Sequence, residues 1–187
     1  MNFNKHSQLQ GQHAYLGASK YHWINYSDDK LIDSYRRHSA VKRGTELHEY
    51  AAQSIRLGIK QQRSKMTLNM YINDAIGFRM IPEQVLYYSD NCYGTADTIN
   101  FDSKRKILRI HDYKSGEIPA NMNQLLVYTA LFCLEYKIKP SEIETILRIY
   151  QFDDYVECRP TAEDILPIMD KIVTFDKLID KIRAEEE

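Results

Sequence analysis

Apolar residues recur at helical spacing through Ala40–Gly58, where Val41, Leu47, Ala51, Ile55 and the following Ile59 fall roughly along one stripe. Ser19–Asn25 reads as a shorter helix before it, and Met66–Phe78 as a third helix after it. The pattern changes after Pro82. Glu83–Tyr88, Tyr93–Phe101 and Ile107–Lys114 are rich in Ile, Val, Tyr and Thr and read as strands. The polar run Asp102-Ser103-Lys104-Arg105-Lys106 between the last two reads as a hairpin turn. Met122–Tyr136 predicts a helix that offers Leu125, Leu126, Tyr128, Thr129, Phe132 and Cys133 for burial, and Pro140 ends it. Glu144–Phe152 predicts a fourth strand. The last helix starts near Thr161, with Asp164 three residues on as a capping partner, and carries the stripe Ile165, Ile168, Ile172, Phe175, Ile179 and Ile182.

Helices, three strands, a helix, a strand and a helix make a mixed α/β domain. A length of 187 residues suits one domain. Its expected parts are a helical N-terminal portion (about 1–80), a core (about 81–155) and a C-terminal helix (about 160–185). The hydrophobic share of 43% is enough for a core, and the charged share of 27% is ordinary for a soluble chain. No window approaches the ~18 apolar residues of a membrane span. The first 17 residues contain no apolar signal-like stretch, so the expected location is the cytosol. Cys92, Cys133 and Cys158 are far apart and form no CxxC pair, which predicts three reduced thiols rather than a zinc site or a disulfide framework.

The net charge of −1 hides an asymmetry: residues 30–65 carry nine Lys/Arg against three acids, and residues 151–187 carry five against eleven. A basic segment beside an acidic tail suits a chain that meets a polyanion on one side, and equally suits two solvated helix faces. Several of the 14 tyrosines (Tyr15, Tyr21, Tyr26, Tyr35, Tyr50) lie in or near the basic segment, where they could stack bases of a single strand or simply pack.

Chemistry concentrates on the hairpin. A turn at Ser103–Lys106 sets residue 102 opposite 107 and residue 97 opposite 112. Strand alternation then places Asp97, Ile99 and Phe101 on one face with Leu108, Ile110, Asp112 and Lys114. Two carboxylates and a lysine thus gather at the end of an apolar face, where unpartnered charges are costly. A hard cation such as Mg²⁺ uses one or two carboxylates plus water and substrate phosphate, and it lowers the pKa of bound water. A lysine two residues beyond a ligand can orient that water or offset developing negative charge. A surface salt bridge is the plainer explanation of an isolated D-x-K.

The context is more specific. Gly94-Thr95-Ala96-Asp97, Asp112-Tyr113-Lys114 and Gln124-Leu125-Leu126-Val127-Tyr128 resemble the GxxD, DxK and QxxxY series of RecB-like nucleases in the PD-(D/E)XK superfamily. Arg43-Gly44-Thr45-Glu46-Leu47-His48-Glu49 resembles the helical motif of that family with its histidine. Gly17-Ala18-Ser19-Lys20-Tyr21-His22-Trp23-Ile24-Asn25 is similar to the start of a phage and prophage group within it. Together the motifs cover nearly residues 13–155.

The resemblance implies a restriction-endonuclease-like core, a central mixed sheet flanked by helices, and a Mg²⁺- or Mn²⁺-dependent nuclease, of the exonuclease type used in phage recombination or DNA processing. It implies Asp97 and Asp112 as metal ligands, joined by the backbone carbonyl of Tyr113 and by His48, and Lys114 as the catalytic lysine. Gln124 and Tyr128, four apart on one helix face, are expected to lean over the site toward DNA or the lysine. Glu83, at the start of the strand before GTAD, is expected as a further ligand or a group behind one. DNA is the implied partner, with room for a recombination or annealing protein and for a homo-oligomer, in a bacterial or phage-infected cytoplasm. Some relatives hold an iron–sulfur cluster through four cysteines. Here no cysteine stands near Asn25–Tyr26 and none of the C-terminal three is present, so no cluster is expected. No GxxxxGK[ST] occurs, so neither a nucleotide site nor ATP-driven helicase activity is expected, and neither GxSxG nor HExxH is present to point to another hydrolase chemistry. The competing function is a binding module that keeps the fold without catalysis.

Overall fold

The computed structural model describes residues 14–186. The N-terminal stretch read above for a signal lies largely outside the described residues, as does Glu187 at the end of the acidic tail. The chain divides into two compact units, one ending at Arg43 and the other running from Gly44. In the first, a 3₁₀ helix spans Ala18–Asn25 and the Trp23 indole donates to the Gly17 carbonyl at 3.0 Å. The helix α1, Asp28–Leu57, supplies the rest of this unit and continues as the opening element of the second.

α1 begins well before the expected start at Ala40. The segment from Asp28 to Ser39 is polar and shows no apolar stripe, so periodicity could not reveal it. The expected stripe is also corrected. Ala51, Ala52, Ser54 and Ile55 are buried, whereas Val41 is 71% exposed and Ile59 52% exposed.

The second unit is an α/β domain built on a five-stranded mixed sheet. The strands are β1 (Ile81–Ser89), β2 (Cys92–Asp102), β3 (Ile107–Tyr113), β4 (Glu144–Gln151) and β5 (Asp154–Cys158), and their order in the sheet is their order in the chain. Only β3 and β4 are parallel; their crossover carries α3, Asn123–Tyr136. Helix α2, Thr67–Gly77, precedes the sheet, and α4, Ala162–Glu186, follows it. The β2–β3 register matches the expected one, with Asp102 opposite Ile107 and Thr98 opposite His111. Pro82 lies within β1, which is tolerated because β1 is an edge strand.

The sheet is covered on both faces. Leu86, Ala96, Ile99, Leu108 and Ile110 pack with Leu125, Leu131, Phe132 and Cys133 of α3. Tyr113 and Tyr150 pack on the other side with Tyr71, Ile72 and Ala75 of α2 and with Ala51 and Ile55 of α1. Burying large aliphatic side chains contributes about 1.5–3 kcal/mol each, so these two layers hold the strand ends in place.

β5 was not expected from sequence. It pairs antiparallel with β4 through a tight turn in which Phe152 (φ 57°) and Asp153 (φ 56°) are both left-handed. Such a turn ordinarily announces itself by Asn-Gly or Asp-Gly, and Phe-Asp does not. Asp153 is held there by α2: its carboxylate accepts from the Thr67 backbone N–H at 2.9 Å, and its own N–H donates to the Thr67 hydroxyl at 2.7 Å. The start of α4 is as expected, with the Asp164 carboxylate accepting from the Thr161 N–H and hydroxyl at 2.8 and 3.0 Å. Its stripe is buried only in part: Ile165 is enclosed, Ile168 and Ile172 are half-buried, and Phe175, Ile179 and Ile182 are exposed. Among the described residues no helix is long and apolar enough to cross a membrane.

Candidate active site

Asp112 sits at the end of the central strand β3, only 1% exposed, and Lys114 follows just beyond it. The Lys114 backbone N–H donates to the Tyr150 carbonyl at 3.0 Å, so parallel pairing with β4 carries the chain straight through the cluster. On the neighbouring β2, the Asp97 carboxylate accepts a hydrogen bond from the Tyr113 backbone N–H at 2.9 Å. A side chain thus takes a backbone donor where the β2–β3 ladder ends, and this fixes Asp97 beside Asp112.

α1 brings His48 to the same oxygen, with Nδ1 3.3 Å from Asp97 Oδ2. Its ring meets the edge of Tyr113 at 5.3 Å, and Tyr113 in turn stacks on Tyr71 at 5.7 Å. Close approach of α1 is eased by Gly44, where a Cβ would stand 3.3 Å from the Ser115 hydroxyl. The hydrogen bond to Asp97 raises the His48 pKa above its ordinary value against the opposing effect of burial.

Asp112 and Lys114 form an ion pair, with Nζ 3.1 Å from Oδ1 and 2.9 Å from Oδ2. Only the Oδ1 contact has hydrogen-bond geometry, so Oδ2 is buried without a hydrogen-bond partner among the described residues. Burial, and then the negative charge of Asp97, push the Asp112 carboxyl up to about 6, outweighing the lysine. A carboxylate that rises despite an adjacent ammonium is short of positive charge.

Lys114 is held from its other side. Nζ donates to Gln124 Oε1 at 3.0 Å, Gln124 Nε2 donates to the Tyr128 hydroxyl at 3.1 Å, and that hydroxyl donates to the Thr95 carbonyl at 2.6 Å. One chain of hydrogen bonds therefore runs from the Asp112 carboxylate to the backbone two residues before Asp97. The expected facing of Gln124 and Tyr128 toward the lysine is what the helix provides.

The structure thus brings together His48, Asp97, Asp112, Tyr113, Lys114, Gln124 and Tyr128. Glu83 it does not bring in: although β1 pairing sets it level with Asp97, its backbone is left-handed (φ 52°) and its exposed carboxylate pairs with Arg56. Two contributors went unnoticed in the sequence. Tyr71 is buried next to the cluster, where burial and the Asp97 charge hold its phenol well above the ordinary range; its place on the inner stripe of α2 marked it only as core. Gly94 is the other, since a Cβ there would lie 2.9 Å from the Tyr128 ring.

Among the described residues no group of three or more His, Cys, Asp or Glu side chains stands ready as a complete metal cage. The donor types nonetheless fit a hard divalent cation: two carboxylates, one of them buried with a raised pKa and with an oxygen met by the Lys114 ammonium but by no hydrogen bond among the described residues, and an imidazole next to them. No protein-family model, curated protein or solved structure matches the chain.

Proposed function

We propose that this chain is a Mg²⁺- or Mn²⁺-dependent DNA nuclease with a restriction-endonuclease-like core, akin to the RecB-like and phage-type exonucleases of the PD-(D/E)XK superfamily. The observation that carries this reading is the buried Asp112 carboxylate, its Oδ2 without a hydrogen-bond partner among the described residues and its pKa raised to about 6, beside Asp97 and the fixed ammonium of Lys114. A structural ion pair has no need of a second carboxylate that strains it.

Asp97, Asp112, the Tyr113 carbonyl and His48 would hold the metal. When bound, the metal supplies Lewis acidity toward a phosphodiester and a more acidic water. The rest falls to the protein. Lys114 positions the attacking water and offsets charge on the phosphoryl oxygens as the water oxygen bonds to phosphorus and the bond to the leaving sugar oxygen breaks. Gln124 and Tyr128 keep the ammonium aimed at this point rather than free to swing, and orientation of this kind is worth several kcal/mol in a constrained site. The Tyr113 N–H holds Asp97 by its Oδ2.

A second reading, a DNA- or protein-binding module without catalysis, is favoured by the lack of any group of three or more candidate ligands among the described residues. Digestion of end-labelled single- and double-stranded DNA, linear and circular, in Mg²⁺, Mn²⁺ or EDTA separates the two. Metal-dependent loss of linear DNA alone supports an exonuclease, and cutting of circles makes the enzyme an endonuclease. Binding without cleavage of any strand, RNA included, leaves the module.

A further inference from the structure

Between α1 and α2 the chain runs through residues 59–66 without regular structure, yet it is firmly tied. The Gln61 N–H donates to Asn73 Oδ1 at 2.8 Å and Asn73 Nδ2 returns to the Gln61 carbonyl at 3.0 Å. Asn69 Nδ2 donates to the Gln62 carbonyl at 3.1 Å, and the Tyr50 hydroxyl donates to Gln61 Oε1 at 2.9 Å. The loop carries Lys60, Arg63 and Lys65, contains no acid, and exposes all three cations. None of the three has an ion pair or hydrogen bond among the described residues.

The loop borders a polar cavity of about 600 Å³ lined by Lys60, Arg63, Asn73, Asp74, Arg148 and Tyr155. The acids there are already committed. Asp74 Oδ2 accepts from Arg148 at 3.1 Å and from the Tyr150 hydroxyl at 2.6 Å, and Glu157 accepts from Arg148 at 2.8 Å. Arg148 lies over the Tyr155 ring, 4.6 Å from its centroid. The rim therefore keeps the uncompensated charge of Lys60 and Arg63, with Lys65 two residues further on. A pinned backbone that carries three unpaired cations within six residues fits a chain of phosphates better than one anion.

We infer that the Lys60–Lys65 loop is a phosphate-backbone contact for the nucleic-acid strand, separate from the cluster around Asp112. This deepens the nuclease reading and rests on it for the identity of the strand. The test is fluorescence anisotropy of a labelled single-stranded DNA with the full chain in EDTA across a salt series, where cleavage plays no part. Two lost phosphate contacts lower the slope of log K against log salt by roughly 1.4, and cut affinity about 10- to 25-fold near ~0.1 M salt. Lys60→Ala/Arg63→Ala is expected to show this, with an unchanged melting temperature. Lys104→Ala/Lys106→Ala, in the turn between β2 and β3, removes the same charge elsewhere and is expected to leave the slope alone.

An unchanged slope in the loop variant, an equal fall in the control, or no DNA binding by wild type overturns the inference. Displacement of the DNA by inorganic phosphate at constant ionic strength also overturns it, in favour of a small-anion site. Loss of cleavage with binding and slopes as expected counts against the nuclease reading alone.

Discussion

Gly94 and Tyr128 are fitted to one another: a Cβ on Gly94 would stand 2.9 Å from the tyrosine ring, whose hydroxyl is tied to the Thr95 carbonyl at 2.6 Å. The ring cannot swing aside without releasing that bond and, through Gln124, the hold on Lys114. Gly94→Ala is therefore expected to destabilise the fold by about 1–3 kcal/mol, the usual cost of overpacking. It should also lower catalysis. Combining it with Tyr128→Ala should cost less than the sum of the two, because the clash disappears with the ring. Urea unfolding of the four proteins in the cycle checks this, and strict additivity would show that the two residues are not coupled.

Lys114 is steadied by Gln124 at 3.0 Å. Gln124→Ala removes two hydrogen bonds, from Lys114 and to the Tyr128 hydroxyl; the loss at the lysine, about 1–1.5 kcal/mol, should lower kcat about tenfold with little change in KM. Tyr128→Phe should move kcat in the same direction by less, since the lysine keeps its direct partner. Steady-state cleavage rates at saturating DNA measure both.

Mn²⁺ should raise the melting temperature of the wild type, by a few kcal/mol in stability at about 100 times Kd. Asp97→Asn and Asp112→Asn should abolish this rise. Glu83→Gln should keep it, because the Glu83 carboxylate is occupied by Arg56. The metal-free protein carries a related signature. Asp112 titrates at about 6 when folded, above its ordinary value of 3.8, so the folded state loses stability as pH rises through that window. Asp112→Asn should accordingly stabilise the metal-free protein at pH 8 and have little effect at pH 4.

His111 predicts a pH effect of opposite sign. It is fully buried, its Nε2 has no hydrogen-bond partner among the described residues, and burial together with Arg148 and Arg109 lowers its pKa from 6.5 to about 3. The unfolded chain takes up a proton below pH 6.5 that the folded chain refuses. Stability from this residue is full above pH 6.5 and is lost progressively toward pH 3. His111→Leu should flatten the acid limb of the stability curve between those values. An identical acid limb in the variant would place the effect elsewhere.

Much of the sheet was legible because β2 and β3 alternate cleanly around a polar turn, so the register Asp102 to Ile107 followed from the pattern itself. That register was enough to bring Asp97 beside Asp112, and helical spacing was enough to place Gln124 with Tyr128. Other features depend on groups that meet only in three dimensions. His48 was marked by its motif and not by periodicity, its contact with Asp97 Oδ2 being made across the fold, and Glu83 turns to Arg56 for reasons no local pattern carries. β5 escaped notice because its turn lacks glycine and asparagine and its side chains are mostly exposed. The first half of α1 escaped because a polar helix has no stripe.

Lys114 is the residue on which cleavage should depend most. The most direct measurement is the rate at which wild type and Lys114→Ala cleave end-labelled linear DNA in Mn²⁺, with melting curves and DNA binding taken on the same samples. Metal-dependent cleavage by wild type is expected, with a fall of about 10²–10³ or more in the folded variant and binding largely retained. Cleavage by the variant at the wild-type rate, or a folded wild type that binds DNA and cuts none, would contradict this expectation.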